Sequence, residues 1–139
     1  MSNIAFIVED IEFTLKGKKD TKKWLTNAAI SEQREIDSLS YIFCSDDFLL
    51  NINKEYLDHD YYTDIITFDN SLKSDSIMGD VFISIERVKE NAIQYGVTFE
   101  QELNRVMVHG LLHLCGYTDK LHDDKILMRL KENTYISLR

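Results

Sequence analysis

Residues 98–119 run TFEQELNRVMVHGLLHLCGYTD, a segment that carries both a long amphipathic helix and its polar turn. Thr98 followed by Gln101 is a capping box, in which side chain and backbone of the first turn satisfy each other's free donors. Behind it Leu103, Val106, Met107, Leu111, Leu112 and Leu114 recur at a period near 3.6, so the spacing predicts an amphipathic helix ending at Gly116. Glycine at that point can take the left-handed conformation that stops a helix and turns the chain back. His109 and His113, four residues apart, lie about 40° from one another around the axis and one turn along it. Both imidazoles project from one face and can share a cation.

A histidine pair at this spacing is common by itself, and the turn after it adds a third donor. Asp119 falls six residues past His113. The order H-x3-H-x2-G-x2-D follows the spacing logic of metzincin-type zinc sites, with a carboxylate in place of the last histidine and Gly110 where a zinc peptidase carries its catalytic glutamate. Three protein ligands with a fourth position open are the catalytic rather than the structural arrangement, which favours hydrolysis. His122, three residues past Asp119, is the rival third ligand; spacing favours Asp119 and leaves the alternative open. Cys115 points about 160° away from His113 around the helix. It reads as a core thiol, as does Cys44.

Upstream, Val81, Phe82 and Ile83 after Gly79-Asp80 read as a strand, and a helix starting at Ser84 or Ile85 closes on Gly96. Ile65, Ile66 and Phe68 form a strand by β-branched content; Leu39, Tyr41 and Phe43 alternate as another. Ile4, Phe6 and Val8, interleaved with Ala5 and Ile7, predict a strand buried on both faces. Ser45-Asp46-Asp47 caps a helix with Phe48, Leu49, Ile52, Tyr56 and Leu57. Asp20 or Thr21 caps one with Trp24, Leu25, Ala28 and Ala29. A last helix, from about Asp119 or Asp123 to Glu132, has Ile126, Leu127 and Leu130 as its apolar stripe. Strands separated by helices predict a mixed sheet of about four strands covered by helices, of class α/β or α+β, in one domain over residues 1–139.

The chain has 139 residues, 44% apolar and 11% aromatic, which is enough for one hydrophobic core. Its formal charge of −8 excludes a histone-like or polybasic mode of nucleic-acid binding over the whole surface. Positive charge concentrates in residues 16–23, where Lys16, Lys18, Lys19, Lys22 and Lys23 face only Asp20. That run is either a local phosphate-contact patch or a solvated helix start. The longest apolar run, Val106 to Tyr117, holds two histidines and falls short of the roughly 20 residues of a membrane helix. The N-terminal MSNIAFIVEDIEF carries acids where a secretory signal would be basic. A cytoplasmic protein with reduced thiols and no membrane contact is expected.

At His109-Gly110-Leu111-Leu112-His113-Leu114-Cys115-Gly116-Tyr117 the chain resembles the signature of the YbeY family of bacterial metal-dependent endoribonucleases. Two further blocks agree in order: Asn53, Tyr56 and Thr63-Asp64-Ile65-Ile66-Thr67-Phe68, then Gly79-Asp80-Val81-Phe82-Ile83-Ser84. The resemblance implies an α+β fold with a zincin-like, metalloprotease-like core, one zinc ion per chain and single-strand-specific RNA cleavage. It also implies a role in maturing the 3′ end of small-subunit ribosomal RNA and in ribosome quality control. The implied partners are ribosomal RNA, the small ribosomal subunit and a ribosomal or GTPase protein. Carried onto this chain, the metal-binding and catalytic set is His109, His113 and Asp119. Two positions depart from the family pattern. The motif usually ends G-Y-D-H, whereas here Gly116-Tyr117-Thr118-Asp119 places an aspartate as the last donor, and Leu57 stands where the family carries an arginine. His59 and Arg105 are the residues available to supply that charge.

With Gly110 in place of a glutamate, peptide hydrolysis lacks its usual base. A cation suits phosphodiester cleavage better, because it polarises a non-bridging oxygen and lowers the pKa of its water. Either that water or the RNA 2′-hydroxyl can be the nucleophile. Asp64 and Asp80 read either as residues orienting a ligand histidine or holding the water, or as caps of backbone N–H groups. Tyr61, Tyr62 and His59 either stack on bases or pack on the core; Asn53 and Thr63 have equal claims as turn residues. The alternatives to a nuclease are a metal-stabilised ribosome assembly factor with little catalysis and, behind it, a metallopeptidase.

Overall fold

A computed structural model describes residues 3–139. Met1 and Ser2, the first two residues of the stretch read for a secretory signal, lie outside the described residues. The elements follow in the order β1 (Ile4–Val8), α1 (Lys18–Ser31), β2 (Glu35–Cys44), α2 (Asp46–Leu57), β3 (Ile65–Asp69), β4 (Ser76–Ser84), α3 (Ile85–Tyr95), α4 (Phe99–Leu114) and α5 (His122–Ile136). The four strands form one mixed sheet in the order β1-β2-β4-β3. β1, β2 and β4 run parallel, and β3 pairs antiparallel with β4, with Thr67 opposite Val81. The class is α+β, as expected.

Strand alternation sorts the side chains to two faces. Leu39, Tyr41 and Phe43 of β2 with Ile77, Val81 and Ile83 of β4 join the main core, which Trp24 and Leu25 of α1 and Met107 and Leu111 of α4 complete. On the other face Cys44, Leu49 and Ile66 gather Phe48, Ile52, Phe68 and Phe82 beneath α2. Cys44 and Cys115 are buried and free. Burial pushes their thiols up, to about 12 and about 11, so neither is a reactive thiolate.

The helix ends follow their sequence signals in three cases. Ser45 Oγ accepts from Phe48 N–H at 3.1 Å, Gly96 closes α3 at φ 68°, and the Thr98–Gln101 capping box is complete in both directions. Three expectations are corrected. β1 is an edge strand with only Ile4 buried, and Ile7 and Val8 are each 41% exposed. α1 starts at Lys18 behind a left-handed Gly17, not at Asp20 or Thr21, and Thr21 is buried with its hydroxyl accepting from Arg139 Nη2 at 2.6 Å. α5 runs to Ile136 and turns a different face inward: Met128, Glu132 and Tyr135 are buried, while Ile126, Leu127 and Leu130 are exposed. Polar anchors set that rotation. The Trp24 indole donates to the Tyr135 carbonyl at 2.7 Å, and Glu132 is drawn in by Arg105 and His109.

Among the described residues, no helix is long and apolar enough to cross a membrane.

Candidate metal centre

α4 crosses the sheet with its apolar face down, and one close approach makes this possible. A Cβ at Gly110 would meet Val81 Cγ1 at 2.8 Å and Ile65 Cδ1 at 3.1 Å. Position 110 therefore faces the sheet and not the cleft. The neighbouring face of α4 carries His109 and His113 to one edge of the molecule. Beyond Leu114 the chain reverses at Gly116, whose φ of 101° favours glycine, and Tyr117 N–H closes the turn on the Leu112 carbonyl at 3.1 Å. Because α5 begins only at His122, Asp119 stays in the connecting loop and can turn back toward the histidines.

His109 Nε2 and His113 Nε2 are 2.9 Å apart. Asp119 Oδ2 lies 3.3 Å from the first and 3.5 Å from the second. These three are the group of donors among the described residues whose atoms, all within 4.8 Å of one another, could hold a metal ion. His122, the rival donor, is an exposed residue opening α5 and does not belong to the group.

The outer ring nitrogens explain why the inner ones converge. His113 Nδ1 is 2.9 Å from the Tyr117 carbonyl, which can only accept, so Nδ1 carries the hydrogen. His109 Nδ1 is 2.7 Å from Glu132 Oε2. Burial works against the charge on Glu132, yet hydrogen bonds from His109 and Arg105 outweigh it and hold the carboxyl below the usual range, so it too accepts. Each neutral imidazole then presents a bare Nε2 lone pair to the other and to the Asp119 carboxylate. Three lone pairs aimed at one point repel unless a cation or proton sits among them. Zinc–nitrogen bonds near 2.0–2.1 Å give a tetrahedral ligand–ligand edge of about 3.3 Å. The two Asp119 contacts match that edge, and the histidine pair needs to open by a few tenths of an ångström. The donor set fits a divalent cation. Burial and the neighbouring His109 push His113 down against the opposing pull of Asp119 and the Tyr117 carbonyl, which favours the neutral form that a metal requires. Burial pushes His109 the same way, but the Glu132 hydrogen bond and charge more than reverse the effect.

A cavity of about 430 Å³ opens beside this group, lined by Asp64, Ile65, Tyr95, Glu102, Arg105, Val106, His109, Asp119, Arg129 and Glu132. Asp64 is thus brought to the site. Burial raises its carboxyl above the ordinary range against the opposing pull of His109, and Asn91 Nδ2 donates to its Oδ2 at 3.5 Å. Asp80 sits in the middle of the sheet opposite Phe68 and outside the cavity. Arg105 is also brought in, bonded to Glu132 and Asn133 at 2.8 Å each. His59 is not: it stacks on Tyr61 in the loop after α2, with ring centroids 5.2 Å apart. Asn53 is buried and donates to the Tyr61 carbonyl at 2.9 Å, a structural tie for that loop. Thr63 bonds the Ile65 carbonyl, and Tyr62 donates to Asp47 at 3.1 Å. Glu132 is a residue of the site that no motif in the sequence marks. Its only signal is a glutamate in an otherwise ordinary polar helix turn.

A second concavity of about 410 Å³, between Phe13, Lys16, Phe99 and Arg139, brings together no acid–base or metal-ligating cluster.

Comparison with known proteins bears on the family and the fold. The family model described as "Endoribonuclease YbeY" matches residues 3–138. A Cytophaga hutchinsonii protein named Endoribonuclease YbeY is 52% identical over 136 residues, covering 98% of this chain and 95% of the relative. One of the same name from Flavobacterium psychrophilum is 48% identical, with 93% and 91% covered. A Thermotoga maritima protein solved in solution superimposes with a TM-score of 0.68 at 28% identity, covering 96% of this chain and 87% of that one. The chain belongs to the YbeY endoribonuclease family.

Proposed function

We propose that the chain is a divalent-metal-dependent endoribonuclease that cuts single-stranded RNA, with His109, His113 and Asp119 as metal ligands. The observation that carries this reading is the convergence of His109 Nε2, His113 Nε2 and Asp119 Oδ2 beside an open cavity. Three protein donors leave a coordination position for substrate or water, the catalytic pattern. Two imidazoles and one carboxylate suit zinc, which is the cation proposed, one per chain.

A bound cation supplies Lewis-acid polarisation of a phosphodiester oxygen and acidifies water. The protein's own groups orient and move protons around it. Glu132 and the Tyr117 carbonyl keep hydrogens on the two Nδ1 atoms, so that both Nε2 atoms face inward. Asp64, its carboxyl raised by burial, takes up a proton at its carboxylate more readily than a surface aspartate would. Arg105 and Arg129 place positive charge on the cavity wall, where a phosphate backbone passes. Position 110 faces Val81, so no side chain there stands in for the peptidase glutamate.

The finer parts of the proposal are a small-subunit ribosomal RNA precursor cut near its 3′ end, a cytoplasmic location, one domain spanning the chain, and a ribosomal or GTPase protein as docking partner. The net charge of −8 supports a partner, because most of the surface repels a phosphate backbone. Cleavage of single-stranded and fully paired RNA, with and without chelator and beside His113→Ala, tests the reading. Cutting of the single strand alone, abolished by chelator and by the substitution, is expected. Equal cleavage by wild type and variant would sink it. Leu57, at the position of the family arginine and 38% exposed at the end of α2, favours a second reading, an assembly factor with little catalysis. Full metal binding without any RNA cleavage would establish that one.

A further inference from the structure

The cavity extends past the histidines along α4, and that far end has no role in holding a metal. Glu102, Arg105 and His109 share one face of the helix, with Glu102 two turns, about 10 Å, before His109. Glu102 is 6% exposed and lines the cavity; no buried side-chain polar atom among the described residues lacks a partner, so its carboxylate oxygens open onto the cavity, where Arg105 and Arg129 act on their charge. A carboxyl whose stem is buried and whose oxygens face only the cavity is placed to bond a ligand that enters there. Desolvation and the nearby Asp64 raise it toward the neutral acid, which both donates and accepts. Tyr95, the last residue of α3, lines the same cavity and is 60% exposed although its ring is large and apolar. Arg129 closes the rim; its side chain is 63% exposed and its one ion pair, to Glu132, is a long 3.7 Å. Arg105, by contrast, is already bound to Glu132 and Asn133.

A planar aromatic, a carboxyl facing the cavity and a largely exposed guanidinium are complementary to the base, its polar edge and the phosphate of one nucleotide. The volume of about 430 Å³ lies within the roughly 300–1,000 Å³ usual for small-ligand sites. We propose that Tyr95, Glu102 and Arg129 form a nucleotide subsite, in which the base next to the scissile phosphate stacks on Tyr95, hydrogen-bonds Glu102 and leaves its phosphate to Arg129. This rests on the endoribonuclease reading and extends it, because it gives the single-strand requirement a cause: a base can reach Glu102 only when it is unpaired.

The test uses AMP and UMP, which contain no phosphodiester to cleave, titrated into the full chain as purified and again in chelator, with amide shifts recorded by NMR. Saturable shifts centred on Tyr95, Glu102 and Arg129 are expected in both conditions. Tyr95→Ala and Glu102→Ala should weaken binding about tenfold, from the loss of one stacking or hydrogen-bond contact. Tyr95→Phe and Glu102→Gln, which keep the ring and a neutral donor–acceptor, should restore it, and circular dichroism of all four guards against misfolding. Shifts confined to residues 16–23, no saturable shift, or Ala variants that bind as wild type would overturn the subsite. RNA cleavage by wild type is scored separately. Cleavage without nucleotide binding here removes the subsite and leaves the nuclease reading, and binding here without cleavage does the reverse.

Discussion

Glu132 Oε2 lies 2.7 Å from His109 Nδ1, joining α5 to the ligand face of α4. The same carboxylate accepts from Arg105 Nη1 at 2.8 Å and is only 5% exposed. The pair fixes the tautomer of His109, and with it the direction of the lone pair offered to a cation. A carboxylate behind a ligand histidine also raises the basicity of the ring. Glu132 is therefore a positioning residue, and its removal has two separable effects.

Glu132→Ala is expected to weaken zinc binding roughly 10–100-fold, the usual cost of losing such a partner. It should also destabilise the metal-free fold by about 1–3 kcal/mol, because Arg105, which keeps its bond to Asn133, loses a charged hydrogen-bond partner. Glu132→Gln keeps an acceptor oxygen for His109 Nδ1 and should recover most of the metal affinity but less of the stability. Chelator competition measures the first quantity and denaturant unfolding of the metal-free protein the second. Unchanged zinc affinity in Glu132→Ala would remove the positioning role.

Spacing favours Asp119 over His122 without excluding the latter, and in the structure Asp119 lies with His109 and His113 while His122 does not. Asp119→Ala should lose tight zinc binding, while His122→Ala should keep one zinc per chain. A stoichiometric metal assay decides it directly. Thermal melts give an independent check: zinc at about 100 times its dissociation constant stabilises a folded protein by roughly 2.7 kcal/mol, a gain expected for His122→Ala and absent in Asp119→Ala. The opposite ranking would transfer the third donor to His122.

The parts of this site that were legible in the sequence are those written as local spacing. Thr98 and Gln101 start α4, the H-x3-H pair shares a face, and Gly116 turns Asp119 back, all within 22 consecutive residues. What local pattern could not supply were contacts between distant segments. Glu132 meets His109 across 23 positions, and Asp64 reaches the cavity from β3's approach. The stripe Ile126, Leu127 and Leu130 has a helical period, but periodicity does not say which face wins when buried polar anchors compete. Here the Trp24–Tyr135 and Arg105–Glu132 bonds turn the helix so that Met128 is buried and the leucines are not. The edge position of β1 was equally invisible, since a run of apolar residues does not report whether a neighbour covers it.

Gly110→Ala tests why the helix can sit so low on the sheet. Alanine favours a helix interior over glycine by about 1 kcal/mol. Against this, the added methyl would lie 2.8 Å from Val81 Cγ1, on a stiff β-branched side chain in the central sheet. Overpacking of that kind costs about 1–3 kcal/mol. A net loss of about 0–2 kcal/mol in denaturant unfolding is expected from these two opposing contributions, with reduced zinc affinity because His109 moves with the helix. A stabilised variant would show that α4 can lift without cost.

Glu32 ties the other histidine to the fold and gives stability a pH dependence with a definite sign. Its carboxylate accepts from Tyr117 Oη at 2.6 Å, from Lys131 Nζ at 3.3 Å and from the Tyr135 hydroxyl. Burial alone would raise its pKa, but these hydrogen bonds prevail and hold it below the usual value. A carboxyl lowered by folding contributes stability that is complete above its unfolded pKa of about 4.3 and disappears as the pH falls through the lower folded value. Wild type should therefore exceed Glu32→Gln in stability by an amount that is constant from about pH 6 to 8 and shrinks below about 4.3. Because Tyr117 also supplies the carbonyl that orients His113, Glu32→Gln should weaken zinc binding at neutral pH as well. Unfolding curves across that pH range, with zinc affinity measured at pH 7, check both. A stability difference that grows on acidification would contradict the sign, and an unchanged zinc affinity would show that the Tyr117 carbonyl holds His113 without help from Glu32.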